Sequence, residues 1–266
     1  MVDTIQTNID DRGAATVWLN RPEVHNAFND ELIATLTAEL KKLEADGTVR
    51  VVILEGRGKS FSAGADFNWM KRTVTYTEAE NIRDAEALAN LLKTLNRLKK
   101  PTIAAVQGNA YGGGVGLVAC CDIAFAADHV HFAFTEARLG LTPATISPYV
   151  IAAMGERHAR RYFLTGESFT AHEACRIGLV HQVCKLPDLL PLVNQTVDTL
   201  ITGGPVAQKE AKKLIRRVAR SQIDSELIAE TARRIATIRV SPEGHEGMTA
   251  FLEKRLPAWR KNHAKK

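Results

Sequence analysis

Residues 102–126 read TIAAVQGNAYGGGVGLVACCDIAFA. The apolar run Thr102–Val106 has the length of a strand. It leads into a turn of small residues, Gly108–Gly114, that opens a short apolar helix through Ala119. A second apolar run, Asp122–Ala126, follows. From Ile103 to Cys121 there is no formal charge, and the stretch has the length of a membrane span. Gln107, Asn109 and the glycine block divide it, so it reads as buried strand, turn and buried helix. Apolar runs without alternation suit strands covered on both faces, the habit of parallel sheets.

Upstream the same grammar recurs. Val51–Leu54 is another apolar strand, followed by a glycine-rich loop over 56–66. Thr4–Ile9 and Ala14–Leu19 read as paired strands around the turn Asp10-Asp11-Arg12-Gly13. Asn29 or Asp30 caps a helix running to about Leu43, with Leu32, Ile33, Leu36, Leu40 and Leu43 on one face. A longer helix spans about Thr77–Leu98, its stripe being Ile82, Ala85, Leu88, Leu92 and Leu95. Alternation of strands and helices predicts an α/β fold with a mainly parallel sheet. Beyond about Leu186 the strand signal stops. Pro187–Leu200, Pro205–Ala219, Ile223–Arg239 and Pro242–Leu256 read as helices, with Thr202-Gly203-Gly204-Pro205 as a hinge. The expected division is a core over 1–195 and a helical region over 196–266.

Composition is that of a globular protein: 45% hydrophobic and 24% charged residues argue against extensive disorder. The net charge of +5 suits an anionic small ligand as well as a nucleic acid. Much of the excess lies in Lys209, Lys212, Lys213, Arg216, Arg217 and Arg220, and in the tail Arg260, Lys261, Lys265 and Lys266. Without aromatic RNA-binding signatures these read as a solvated helix face and a terminus, so no nucleic-acid partner is expected. Met1-Val2-Asp3-Thr4 lacks the order of a signal peptide. A cytoplasmic protein without a membrane span is expected. The four cysteines Cys120, Cys121, Cys175 and Cys184 match no zinc spacing and read as small buried apolar residues.

Several chemistries lack their residues. Gly58-Lys59-Ser60 ends like a phosphate-binding loop, but Ile53 stands where its first glycine belongs. Gly114–Ala119 fits a dinucleotide pattern but lies in mid-chain after one strand–helix unit. His129 and His131 share a strand face without a third ligand, so no metal is expected. There is no serine-hydrolase elbow. What remains is two turns, Phe61–Phe67 and Gly108–Gly114, each following an apolar strand and leading to a helix start. Small residues admit close approach to the backbone, and helix N-termini leave N–H groups unpaired. Side by side, two such turns would hold a carbonyl that becomes an oxyanion.

Ser62-Ala63-Gly64-Ala65-Asp66, and Gly108–Gly114 followed by Cys121-Asp122-Ile123, resemble the two signature segments of the crotonase (enoyl-CoA hydratase/isomerase) superfamily. Further similarity runs through Leu19-Asn20-Arg21-Pro22, Asn26-Ala27-Phe28, Leu164-Thr165-Gly166, Gly178-Leu179-Val180 and Glu246–Arg255. The resemblance implies a crotonase-like ββα spiral core with a C-terminal helical trimerisation region, assembled as a homotrimer or a hexamer. It implies an acyl-CoA thioester substrate and no separate cofactor, coenzyme A being part of the substrate. Backbone N–H groups of Ala65 and Gly113 would form the oxyanion hole. Ala63, Ala65, Asp66, Phe67 and Gly113 would line the CoA path, and Phe251 and Lys254 would reach it across a subunit boundary. Arg21, Val24 and His25 sit where the family loop meets the pantetheine and phosphates.

Family hydratases commonly use two glutamates. One matches Glu136 in Phe134–Gly140, the expected general acid/base. The other position, twenty residues earlier, is Gly116. The run Leu141–Tyr149 also departs from the glycine-rich family pattern. With Ser62–Met70 it resembles the bacterial methylglutaconyl-CoA and isohexenylglutaconyl-CoA hydratases of leucine and acyclic-terpene degradation. Hydration of a branched 2-enoyl-CoA is the first expectation. Double-bond isomerisation on the single glutamate is the second, and an inactive acyl-CoA- or RNA-binding homologue the third.

Overall fold

The computed structural model describes residues 3–261. Met1 and Val2, and Lys265 and Lys266 of the basic tail, lie outside the described residues. Strand β1 (Ile5–Ile9) pairs antiparallel with β2 (Ala14–Leu19), Ile5 opposite Leu19. In the turn between them an Asp10 carboxylate oxygen accepts the N–H of Arg12 and of Ala14, each at 2.9 Å. Helix α1 (Asp30–Ala45) is capped by Asn29, whose side chain accepts the Leu32 N–H, so Asp30 is its first residue.

From there the chain repeats one unit three times. Strand β3 (Val51–Gly56) is followed by the short β4 (Ser60–Ser62) and by helices α2 (Phe67–Thr73) and α3 (Glu78–Arg97). Strand β5 (Thr102–Val106) is followed by β6 (Asn109–Tyr111) and α4 (Gly113–Cys120). Strand β7 (Ile123–Ala127) is followed by β8 (His131–Ala133) and α5 (Ser147–Thr165), which breaks at Gly155. Then come β9 (Phe169–Thr170), α6 (Ala171–Arg176) and β10 (Gln182–Cys184). The long strands form a six-stranded sheet ordered β1-β2-β3-β5-β7-β10, parallel from β2 onward. The short strands form a second sheet, β4-β6-β8-β9. This is the expected ββα spiral. The loop expected over 56–66 contains β4, whose three residues are too few for a period to show.

Alternate residues of a strand face opposite ways, and both faces of the large sheet are covered. Val17, Val52, Leu54, Ala104 and Val106 pack with Leu36 and Leu40 of α1 and with Leu91, Leu92 and Leu95 of α3. On the other side Val51, Ile53, Ile103, Ala105 and Phe125 meet Leu189, Val193 and Val197 of α7 (Leu186–Leu200). The N-terminal half of α3 runs past the core, so Ile82 and Ala85 of the expected stripe are exposed.

Four more helices close the chain: α8 (Pro205–Val218), α9 (Ser225–Arg239), α10 (Pro242–Leu252) and α11 (Ala258–Lys261). The helix expected to reach Leu256 stops at Leu252, and Lys254 takes a left-handed φ of 54°. The boundary expected at 195 falls inside α7, one unbroken amphipathic helix on the sheet. Its following turn is tied rather than free. Arg50 donates to the Gly203 carbonyl at 2.8 Å, Trp259 donates to that of Thr202 at 3.1 Å, and the Glu243 carboxylate accepts the N–H groups of Val206 and Ala207.

The basic run on α8 is not a free solvated face. Lys213 pairs with Glu210 and Arg217 with Glu230. Lys212 is buried, its ammonium 2.5 Å from an Asp122 carboxylate oxygen and 2.9 Å from the Lys100 carbonyl. The same Asp122 oxygen accepts the N–H and hydroxyl of Thr102, so one carboxylate joins β5, β7 and α8. Breaking a fully buried pair costs ~3–5 kcal/mol. Asp122 keeps about a third of its surface in water, so Lys212→Met is expected to cost about 1–3 kcal/mol after that discount. Urea unfolding midpoints measure it, and an unchanged midpoint would show that the clip contributes nothing.

Candidate active site

The site begins with a loop whose regular structure is one 3-10 turn, Pro22–Val24. Between Asn20 and Phe28 the chain must cross above the ends of β2 and β3, and its polar groups need partners there. Asn26, fully buried, supplies them: its carbonyl oxygen accepts the Arg21 N–H, and its amide donates to the Arg57 and Ser60 carbonyls. The Ser62 hydroxyl donates to the Asn26 carbonyl at 2.9 Å. Phe28 then bridges to Ala65: its N–H donates to the Gly64 carbonyl, and its own carbonyl accepts the Asp66 N–H at 2.9 Å. Both neighbours of Ala65 are thus spent on Phe28. The Ala65 N–H takes no hydrogen-bond partner among the described residues.

The second turn ends at the N-terminus of α4. Gly112 adopts φ 48°, ψ −118°, open in practice to glycine, and its N–H donates to the Ala133 carbonyl. The next N–H, of Gly113, is the first of the helix and has no intrahelical acceptor. It too lacks a partner among the described residues, and it carries the positive end of the helix dipole. The two turns touch: a Cβ on Gly64 would lie 3.1 Å from the Tyr111 carbonyl oxygen, and one on Gly112 would lie 4.0 Å from Gly64 Cα.

Glu136 completes the cluster from the short 3-10 turn Glu136–Leu139. A Cβ on Gly112 would come within 3.0 Å of its Oε1. Its Oε2 is buried without a hydrogen-bond partner. Burial pushes this carboxyl above its ordinary range, only partly offset by a bond from its own backbone N–H. Two unpaired N–H groups beside a carboxyl with one unpartnered oxygen can polarise a thioester carbonyl and move a proton at the adjacent carbon.

The structure brings Ala63, Ala65, Asp66, Phe67, Gly113 and Glu136 together. Ala63, Ala65 and Phe67 are exposed, Phe67 by 73%, and the Ala63 N–H is taken by the His25 carbonyl. The Asp66 carboxylate is occupied: it caps α2 through the N–H groups of Asn68 and Trp69 and pairs with Arg21 at 2.9 Å. Burial raises its pKa, but Trp69, Arg21 and Asn68 outweigh that and hold it below the usual carboxylate range. Asp66 therefore shapes the turn. The Arg21 guanidinium donates to Asp66 and to the Ala27 carbonyl. His25 and Val24 stay exposed, His25 against the Ser60 hydroxyl. Phe251 and Lys254 belong to another neighbourhood: α10 packs on α8 and α9, and both side chains are exposed there.

At Gly116 the structure adds what residue spacing does not show. A Cβ there would fall 2.4 Å from Ile146 Cγ2 and 3.4 Å from Leu92 Cδ2. The space a side chain at 116 would enter is filled by hydrocarbon. The departure of Leu141–Tyr149 from the family run was the available signal; which of its residues enters the core was not legible. Arg138 packs toward Gly166. No cluster of metal-binding side chains occurs among the described residues, and no described helix is long and apolar enough to cross a membrane.

The chain is 39% identical to an enoyl-CoA hydratase from Shewanella pealeana of known structure, with a TM-score of 0.94 over 96% of both chains. It is 34% identical to the short-chain-enoyl-CoA hydratase of Clostridium acetobutylicum, covering 91% of this chain and 92% of that one. It is 33% identical to the 2,3-dehydroadipyl-CoA hydratase of Escherichia coli, covering 90% and 92%. The model of the enoyl-CoA hydratase/isomerase family matches residues 10–262. With that match across nearly its whole length, and with the two glycine turns and Glu136 in one cluster, the chain belongs to the enoyl-CoA hydratase/isomerase family.

Proposed function

We propose that this chain hydrates a branched 2-enoyl-CoA thioester. The observation that carries the reading is the convergence of two unpaired N–H groups, on Ala65 and Gly113, with the half-buried Glu136 carboxyl, whose Oε2 is unpartnered. The N–H pair would accept the thioester oxygen and stabilise the enolate formed when water adds at the β-carbon. In its ionised form Glu136 takes a proton from the attacking water. The protonated form then returns it to the α-carbon, so one group serves both steps. The relatives named for short-chain enoyl-CoA and dehydroadipyl-CoA support hydration. The sequence likeness to methylglutaconyl-CoA hydratases supports a branched acyl group and a place in leucine degradation.

Coenzyme A enters as part of the substrate, and no further cofactor is required. Ala63 and Phe67 lie exposed along its proposed path. A homotrimer, or a hexamer of two trimers, would cover Ile228, Ile235, Val240, Met248, Phe251 and Leu252, which one chain leaves exposed on its C-terminal helices. Gly116 favours one second reading: a single glutamate suffices for double-bond isomerisation, which needs no water. A panel of 2- and 3-enoyl-CoA esters in ¹⁸O-water separates the two. Hydration predicts loss of the conjugated thioester absorbance with label in the product. Conversion of 3-enoyl to 2-enoyl esters without label would replace hydration by isomerisation.

A further inference from the structure

We infer that Ile146 is a specificity-determining residue that restricts this site to one carboxylate. The inference deepens the hydratase reading and rests on it for its catalytic consequence. Gly116 lies one turn along α4 from Gly112, its N–H donating to the Gly112 carbonyl at 3.2 Å. Gly112 is the residue whose added Cβ would touch Glu136. Position 116 therefore lies about 6 Å along α4 from Gly112, the residue that abuts the proton-transfer group. A Cβ at 116 would collide with Ile146 at 2.4 Å to Cγ2 and at 3.0 Å to Cβ.

Ile146 has little freedom to retreat. Its carbonyl accepts the N–H groups of Tyr149 and Val150 at the start of α5, and its side chain is only 2% exposed. It is branched at Cβ and stiff about χ1. Leu92, fully buried, faces the same Cβ position from 3.4 Å. The volume a second acid would need is thus filled by hydrocarbon that offers water no hydrogen bond. The missing glutamate and the altered 141–149 run are one feature: glycine at 116 and isoleucine at 146 fit together. Restoring the acid alone would bury a carboxylate against these two side chains and strain the core.

The test is a double-mutant cycle of Gly116→Glu and Ile146→Ala, read by thermal melting and by hydration of straight-chain crotonyl-CoA. Gly116→Glu alone is expected to lower the melting temperature by about 5 °C or more. In the Ile146→Ala background the same change should cost markedly less, a non-additivity that reports contact. The double variant should hydrate crotonyl-CoA at least about tenfold faster than Ile146→Ala alone, within what a positioned acid–base group contributes. Additive melting shifts would overturn the inference. So would a Gly116→Glu enzyme as active as the double variant, or a folded double variant no faster than Ile146→Ala. Failure of the hydratase reading shows separately, as a wild-type enzyme inert toward every 2-enoyl-CoA, while the melting cycle still reports whether Ile146 fills the place.

Discussion

Replacing Glu136 by Gln lowers kcat by about 10²–10⁴-fold, the usual worth of a positioned acid–base group. Gln keeps the shape and polarity of the side chain beside Gly112, so the turns and the binding of the CoA part persist, and the loss falls on kcat rather than KM. With Gly116 and Ile146 filling the alternative position, no second carboxyl stands there to take over. Burial raises the Glu136 pKa, so the acid limb of the rate profile of the wild-type enzyme lies above the ordinary glutamate range near 4.5. Stability provides a second check. A carboxyl whose folded pKa is raised binds its proton more tightly in the native state. Its favourable contribution is complete below the unfolded value and is lost as pH rises through the folded one. Gln carries no such penalty. Glu136→Gln should therefore be more stable than wild type at neutral pH, with the difference shrinking toward acid. A variant as active as wild type, or one whose stability tracks wild type at every pH, would remove Glu136 from its role.

Gly112→Ala is expected to cost about 10²–10³ in kcat, the loss that follows displacement of one oxyanion donor. Its φ of 48° with ψ of −118° is a region that residues with a Cβ rarely adopt, and holding alanine there costs about 1–3 kcal/mol. The new methyl would also lie 3.0 Å from Glu136 Oε1 and 4.0 Å from Gly64 Cα. Relief requires either the carboxyl or the turn that aims the Gly113 N–H to move. Either movement separates donor and acid, which must act on neighbouring atoms of one thioester. Stopped-assay kcat and calorimetric affinity for a CoA thioester together test this. Near-normal kcat in a folded variant would show that the oxyanion does not sit at this turn.

Much of this is legible before any folding. The large-sheet strands β2, β3, β5 and β7 are continuous apolar runs, and α1 announces itself through Asn29 and its leucine stripe, because those signals span enough residues to repeat. The two glycine turns stand out as dense runs of small residues that could equally be tight packing turns; their role, and that of Glu136, was legible only through the resemblance to the crotonase superfamily.

What stayed hidden depends on partners far away in the chain. The second sheet is built of strands of two or three residues, below the length at which a period can be seen. Lys212 looks like one more surface cation until α8 lays it on Asp122, ninety positions earlier. Arg21 and Asp66, separated by 45 positions, neutralise each other and leave the ligand path to backbone and small side chains. From the residues alone come the five long strands β1, β2, β3, β5 and β7, the helices α1, α3, α4 and α7–α10 and the glycine turns, since each is written in contiguous residues; the single glutamate and the gap at Gly116 come from the family resemblance. The folded arrangement alone leaves the Ala65 and Gly113 N–H groups without partners among the described residues, raises the Glu136 pKa by burial and seats Ile146 against Gly116. Those are consequences of which surfaces meet when the spiral closes, and close packing lets one side chain occupy a given volume at a time.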